Sequence, residues 1–403
     1  MTAMAVRGLG SLSRAGRGAA ILGQSSTWKG GVAPAWQLPG QHTSTNPSLY
    51  AAALERFTVL SRLPELDERV AAEPSLVDSF GRALDSALVE AFAVNGPDAT
   101  AAQLFLQRVL YAINRLKLFW YDDLDNYDNE RSLCLRGMRE RIESSWQRWE
   151  LAKHDTAALR ALDVSTALRE RSAADLNPPL SANGRFFRDQ AGDPAYRTLL
   201  EIASLDGLVE ASQLSRTLGG VSNEVHSMLT RLLLEEYGCG RLPRKHSSYF
   251  AIMLTELGMD TTPEAYFDRV PWPVLAGINH SFLLSERKRH FLRYIGGLLY
   301  TEISVPAAFG AYYACAQRLG FGESAMGYWD LHIKEDERHG RWMLNDIALP
   351  LARQYPNHAW ELVLGYDQQR LFSERAGAAV AAAARESDTL AFACADQVEE
   401  VRA

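Results

Sequence analysis

The sequence predicts an all-α protein, and three observations carry that reading. No stretch of the 403 residues sustains period-two alternation. No Asn-Gly or Asp-Gly hairpin joins two apolar runs. Apolar residues instead recur at helical spacing along most of the chain. With 47% hydrophobic and 10% aromatic residues, the chain can bury a large core and is not globally disordered.

Taken in order, the chain opens on a segment without an acidic residue before Glu55, in which Arg7, Arg14, Arg17 and Lys29 sit among Ser, Gly and Ala. That composition suits an organellar transit peptide or a disordered extension. The Gly and Pro content makes a clean amphipathic helix hard to draw, so residues 1–46 are read as a disordered extension. Residues 47–172 follow as an N-terminal helical region. Within it, Ala101 to Leu124 places Leu104, Leu106, Val109, Leu110, Ile113 and Leu116 on one buried face, and Arg131 to His154 repeats the pattern with a more charged outer side. Its aromatics, Phe119, Trp120, Trp146 and Trp149, are expected to cover the next domain or to form a homodimer interface. The stretch WYDDLDNYDNE, Trp120 to Glu130, superficially suggests calcium, but Tyr127 occupies a ligand slot and the turn glycine is missing. It reads as an acidic connection.

Pro178, Pro179, Gly184, Gly192 and Pro194 make residues 173–195 the best linker in the chain. Long helical patterns then run from about Tyr196 to Leu218, Ser222 to Tyr237, His246 to Leu257, Val274 to Gly320 with breaks, and Met326 to Ala348. These define a second domain, residues 196–372. Residues 373–403 are expected to be a weakly structured tail.

Composition also limits the partners. A net charge of −7 with no basic patch beyond SERKRH, Ser285 to His290, argues against nucleic acid. No apolar run reaches the roughly 18 residues of a membrane span. Cys134, Cys239, Cys315 and Cys394 form no CxxC pair, so neither a zinc ribbon nor a disulfide scaffold is indicated, and a reducing cytoplasm is the expected location. Cys239 is expected to pack rather than react.

The chemistry concentrates in DLHIKEDERHGRWM, Asp330 to Met343. On a helix, His332, Asp336 and His339 project at 0°, about 40° and about −20°, one side of two turns. Three ligand-type residues on one face can serve a metal or can be satisfied core residues, and Glu335, at about −60°, competes with them. Carboxylates from other helices decide between the two. In LLLEEYGCGRLPRKH, Leu232 to His246, a tight turn separates Glu236 from His246, so both can face one cavity; the alternative is a helix C-cap with a solvated Glu236. Glu302 lies among Leu298, Leu299, Ile303 and Val305, where an ionised carboxylate is costly unless paired or metal-bound. Glu210 is a further acid in apolar company, with Glu201 as its competitor.

A Glu, a Glu in an E-Y-G-x-G turn followed ten positions later by His, a Glu in a long apolar helix, and H-x3-D-x2-H together resemble the haem-oxygenase-like diiron oxidase family, over about Pro194 to Ala348. The resemblance implies a haem-oxygenase-like helical bundle with Glu210, Glu236, His246, Glu302, His332, Asp336 and His339 as ligands of two iron ions. Hard oxygen donors with imidazole suit iron or manganese. The spacing is closest to the N-oxygenase branch, and the additional Glu302 tilts the same way. Members of that branch that go on to a nitrosourea carry a cupin domain afterwards. No cupin strand content or His spacing occurs here, so an N-nitroso product is not expected.

The resemblance further implies O2 as cosubstrate and a small-molecule amine as substrate, while the aromatics of the N-terminal region make a homodimer the expected assembly. With no flavin or dinucleotide fingerprint in the chain, the resemblance also implies a separate reductant such as a ferredoxin or flavin reductase. Two rivals stay open. The same ligands serve desaturation, decarboxylation or carbon–carbon cleavage of an amino or fatty acid, and a helical iron-binding protein need not be an enzyme. Phe250, Tyr249, Tyr300 and Tyr312 are expected near the pocket.

Overall fold

A computed structural model of the protein describes residues 47–93, 99–119, 124–220 and 223–402. The extension of residues 1–46 and the start of the acidic connection, Trp120 to Asp123, lie outside the described residues. Within them every regular element is helical and no strand occurs.

The elements run α1 (Pro47–Ser61), α2 (Leu66–Ala72), α3 (Asp78–Ala91), α4 (Thr100–Leu118), α5 (Leu133–Leu151), α6 (Thr156–Arg160), α7 (Val164–Leu176) and α8 (Ala182–Asp189). They continue with α9 (Asp193–Gly207), α10 (Glu224–Glu236), α11 (His246–Glu256), α12 (Trp272–Glu286) and α13 (Phe291–Arg318), then α14 (Gly327–Trp342), α15 (Leu349–Gln354) and α16 (Trp360–Arg402).

Two apolar cores organise these helices. The first gathers the buried faces of α1, α3, α4 and α5 around Phe57, Phe80, Phe105 and Trp146, and takes in Ala276 of α12 and Phe372 of α16. The second joins α7, α10, α13 and α16 around Leu229, Leu299, Ile347 and Tyr366. A buried polar clasp ties α4 to α12. The Asn279 amide donates to the Gln107 carbonyl at 2.8 Å and its oxygen accepts from Asn114 at 3.1 Å. Both ends of this contact are buried, so the pairing fixes the register of α12, which floors the cavity described below.

Two segments are more ordered than their composition suggests. Residues 173–195 contain α8, started by the Ser181 hydroxyl accepting from Gly184 N–H at 3.0 Å, and this helix buries Phe186 and Phe187. Beyond residue 372 the chain stays in α16, where Val380, Ala381 and Ala384 are buried. Asp388 of that stretch caps α9, accepting from Gly192 N–H at 2.8 Å and Ala195 N–H at 2.9 Å. A carboxylate supplied from another helix thus satisfies the first orphan donors of α9.

The spine of the second core is the crossing of α13 and α16. A methyl group at Gly296 would lie 1.9 Å from the Leu362 carbonyl oxygen, and one at Gly365 would lie 1.9 Å from that of Arg293. The two backbones meet directly there. Past Trp342, α14 widens into a π-helical turn, Met343–Ala348.

Candidate metal centre

Local sequence explains how α10 and α11 meet. Asn223 caps α10, its side-chain oxygen accepting from His226 N–H at 3.0 Å, and the helix ends on Glu236. Gly238 follows with φ +61°, and a Cβ at that position would lie 2.4 Å from the Arg244 carbonyl carbon. Only glycine suits both the left-handed backbone and the close approach. The chain reverses through the short 3-10 turns Gly238–Gly240 and Leu242–Arg244, so that His246 opens α11 with Nδ1 2.9 Å from Glu236 Oε2. Cys239 at the tip is exposed and left-handed, φ 52°, rather than packed, because the reversal turns it outward.

From α14, His332, Asp336 and His339 are all buried, as their common helical face requires. Glu302 meets them from α13 because Gly340 lets the two helices close. A methyl group there would stand 2.9 Å from the Ile303 side chain and 3.2 Å from the Glu302 carbonyl oxygen. Pro306, one turn on, has no N–H to bond that same carbonyl.

Glu210 arrives differently from the expected long helix. α9 stops at Gly207, against which the Phe250 ring is pressed, and Glu210 lies in the following turns beside Ala211 at φ +63°. Its Oε1 accepts from the Tyr328 hydroxyl at 2.9 Å and lies 3.0 Å from His332 Nε2. Glu201, its competitor, is ion-paired with Arg269 at 2.9 Å.

The seven side chains expected from the sequence therefore converge, and their donor atoms fall into two groups. Glu210, Glu236, His246 and His332 form one; Glu236, Glu302 and His339 form the other, the atoms of each within 4.8 Å of one another. Glu236 belongs to both. Asp336 adjoins the second group, 3.7 Å from His339 Nδ1.

The imidazoles are oriented from behind. His332 Nδ1 lies 2.8 Å from the Tyr328 carbonyl, which can only accept, so Nδ1 donates there and Nε2 is the nitrogen turned inward. His339 Nε2 lies 3.1 Å from Glu235, leaving Nδ1 toward Glu302 at 3.4 Å and Glu236 at 3.5 Å. Glu235 is the residue that sequence reasoning missed. It is a carboxylate supporting a ligand-type histidine from the outer side, as metal sites commonly require. It also pairs with Arg338, as does Glu335, so the outward triple of Glu235, Glu335 and His339 already has its cation.

The electrostatics fit a bound cation. Burial, and then repulsion from Glu302, push Asp336 well above the usual carboxylate range, and burial with Glu236 raises Glu302. Burial opposes charge on His332, but Glu210 outweighs it and holds the imidazole up at about 10; Glu302 and Glu236 do the same for His339, at about 9. The carboxylates draw protons onto their neighbours in place of a metal ion, and a metal would displace them. Asp336 Oδ1, Glu210 Oε2 and His339 Nδ1 are buried without hydrogen-bond partners, where such orphans are rare. The donor set suits iron: hard carboxylate oxygens with imidazole and no thiolate.

The group opens on a cavity of about 270 Å³ lined from the end of α9 and the turns after it, α10, α12, α13, α14 and α16. Its α12 wall includes Gly277, Ile278, His280 and Ser281, and its α13 wall Gly297, Leu298, Thr301 and Phe309. The aromatics expected to line it do not. Phe250 stacks edge-on against Tyr328 behind the ligands, Tyr300 packs on Tyr366 and Tyr312 on Trp329.

No helix among the described residues is long and apolar enough to cross a membrane. Over 290 residues, 68% of this chain and 60% of the other's length, the protein is 27% identical to nitrosourea synthase of Streptomyces achromogenes subsp. streptozoticus. The chain thus spans less than two thirds of that relative. Residues 197–369, which contain all seven converging side chains and Glu235, match the family of iron-containing redox enzymes.

Proposed function

We propose that the protein is a non-haem diiron, O2-dependent N-oxygenase acting on an amine, guanidine or aminoazole nitrogen of a small molecule, in natural-product biosynthesis. The observation that carries this reading is the pair of ligand groups sharing Glu236 at the wall of a cavity. A carboxylate common to both groups could be shared by two ions.

Glu210, Glu236, His246 and His332 would hold one ion, and Glu236, Glu302, His339 and Asp336 the other. When bound, the iron pair would supply the electrons that activate O2, and the separate reductant would replace them. The chain's own part is positional. Tyr328 holds Glu210 by its hydroxyl and His332 by its carbonyl, while Glu235 holds His339, so the ligands are aimed before any ion arrives. The apolar wall of Leu284, Leu298, Val305 and Phe309 keeps bulk water from the reacting nitrogen. A separate reductant, a homodimer and a cytoplasmic location belong to the same proposal.

Anaerobic Fe(II) titration followed by exposure to 18O2 with a panel of amines and guanidines tests it. Binding of two irons per chain and one 18O on nitrogen in the product support it. Label on carbon, or an unsaturated or shortened product, replaces it with the hydrogen-abstraction reading. Iron binding without O2 consumption under any substrate would sink enzymatic function.

A further inference from the structure

Asp206 belongs to the cavity but not to the ligand set. It lies one residue before the end of α9 and one turn before Glu210, and it lines the cavity with its side chain accessible there. Desolvation by the surrounding cavity wall, followed by the nearby Glu210 carboxylate, raises it to about 6; the Gln213 side chain is its hydrogen-bond partner, and no cation is among the groups that act on it. Two carboxylates, Asp206 and Glu210, share one cavity wall, and a cation entering the cavity would relieve their mutual repulsion.

A second residue on the same cavity points independently to a polar guest. His280, on α12, is 1% exposed, and neither ring nitrogen has a hydrogen-bond partner. Its ring is held by Phe372, 4.5 Å between centroids, and edge-on by Trp146 at 6.0 Å. Burial, aided by Arg293, His290 and Arg375, keeps it neutral, so it has one donor and one acceptor unused. Between the two, Tyr294 lines the cavity and feels both Glu302 and Asp206.

We propose that Asp206 is the residue that binds the substrate's cationic group, a guanidinium, amidinium or ammonium, and thereby sets a nitrogen of that group beside Glu210. This deepens the N-oxygenase reading and rests on it only in taking the cavity as the substrate's. Selection for charge follows. A neutral isostere forfeits the charge-assisted hydrogen bond, which corresponds to roughly 10- to 100-fold in affinity.

The test is anaerobic calorimetric titration of the iron-loaded protein with methylguanidine and with its neutral isostere methylurea, in the wild type, Asp206→Asn and Asp206→Glu. Methylguanidine should bind the wild type at least tenfold tighter than methylurea. Asp206→Asn should erase that preference with iron stoichiometry unchanged, and Asp206→Glu should keep part of it. Equal binding of both probes to the wild type, no binding of either, or an unaltered preference in Asp206→Asn overturns the assignment. Should Asp206→Asn fail to fold, Asp206→Glu decides, because total loss of charge preference with the carboxylate retained also overturns it. Charge selection through Asp206 without any N-oxidised product would refute the N-oxygenase reading and leave this one standing. N-oxidation with unchanged KM in Asp206→Asn would do the reverse.

Discussion

Glu235→Gln removes a charge behind the metal centre without changing shape, and its effect should fall on one ion alone. His339 is fully buried, with Nε2 3.1 Å from Glu235 and its other nitrogen facing Glu236 and Glu302. A glutamine held by Arg338, 2.6 Å from the present carboxylate, can still accept from Nε2–H, so the tautomer survives while the electrostatic support is lost. Outer-side partners of metal-bound histidines typically contribute 10- to 100-fold in affinity. The lower figure, about tenfold or 1.4 kcal/mol, is expected for Gln, and the upper for Ala, which also removes the acceptor. The other group takes its orientation from the Tyr328 carbonyl and hydroxyl, so its affinity should stay within about twofold of the wild type. Fe(II) competition against a chelator under argon, with Mössbauer spectra of half-loaded samples, separates the two steps. Equal weakening of both, or of neither, would refute the pairing of Glu235 with a single ion site.

Gly296→Ala should destabilise the protein by about 3 kcal/mol or more, since the new methyl meets backbone that cannot yield, and a drop in Tm checks this. Gly238→Ala should cost about 1–3 kcal/mol and, by moving His246 away from Glu236, lower iron stoichiometry as measured by metal analysis. Burial and nearby arginines lower His290 to about 4 and place His280 well below 6.5. The unfolded chain therefore binds more protons than the folded one below about 6.5. The stability contributed is present above that pH and lost as pH falls toward 4, a decline that His280→Gln should flatten in urea titrations.

Much of this site was readable before any coordinates because α14 writes its chemistry at helical spacing. His332, Asp336 and His339 share a face only if the segment is a helix, and Gly238 announces the reversal that returns His246 to Glu236. Other parts were illegible for definite reasons. Glu235 and Glu236 are adjacent, and nothing in their order says which joins the cluster of ligand-type side chains and which stands behind a histidine. The end of α9 at Gly207 depends on Phe250, a contact between residues far apart in sequence. Residues 173–195 carry every composition cue of a linker, yet α8 within them buries Phe186 and Phe187, and the cap of α9 at their end comes from Asp388, almost two hundred positions away. The alanine-rich end of α16 has little hydrophobic contrast to signal burial, and only its packing reveals it.

The glycines around the cavity divide into two kinds, and the division limits how the pocket can change. At Gly296, Gly340 and Gly365 a side chain would collide with a neighbouring element, whereas at Gly277 a methyl meets nothing within 4 Å and at Gly297 only ordinary contacts at 3.6 Å. Positions 277 and 297 are therefore the adjustable dimensions of the chamber, already at their widest because no smaller residue exists. A lineage or an engineer can narrow this pocket one methyl at a time from α12 and α13. Widening it has to begin instead with Leu284, Leu298 or Phe309, and so at the expense of the wall that keeps water out.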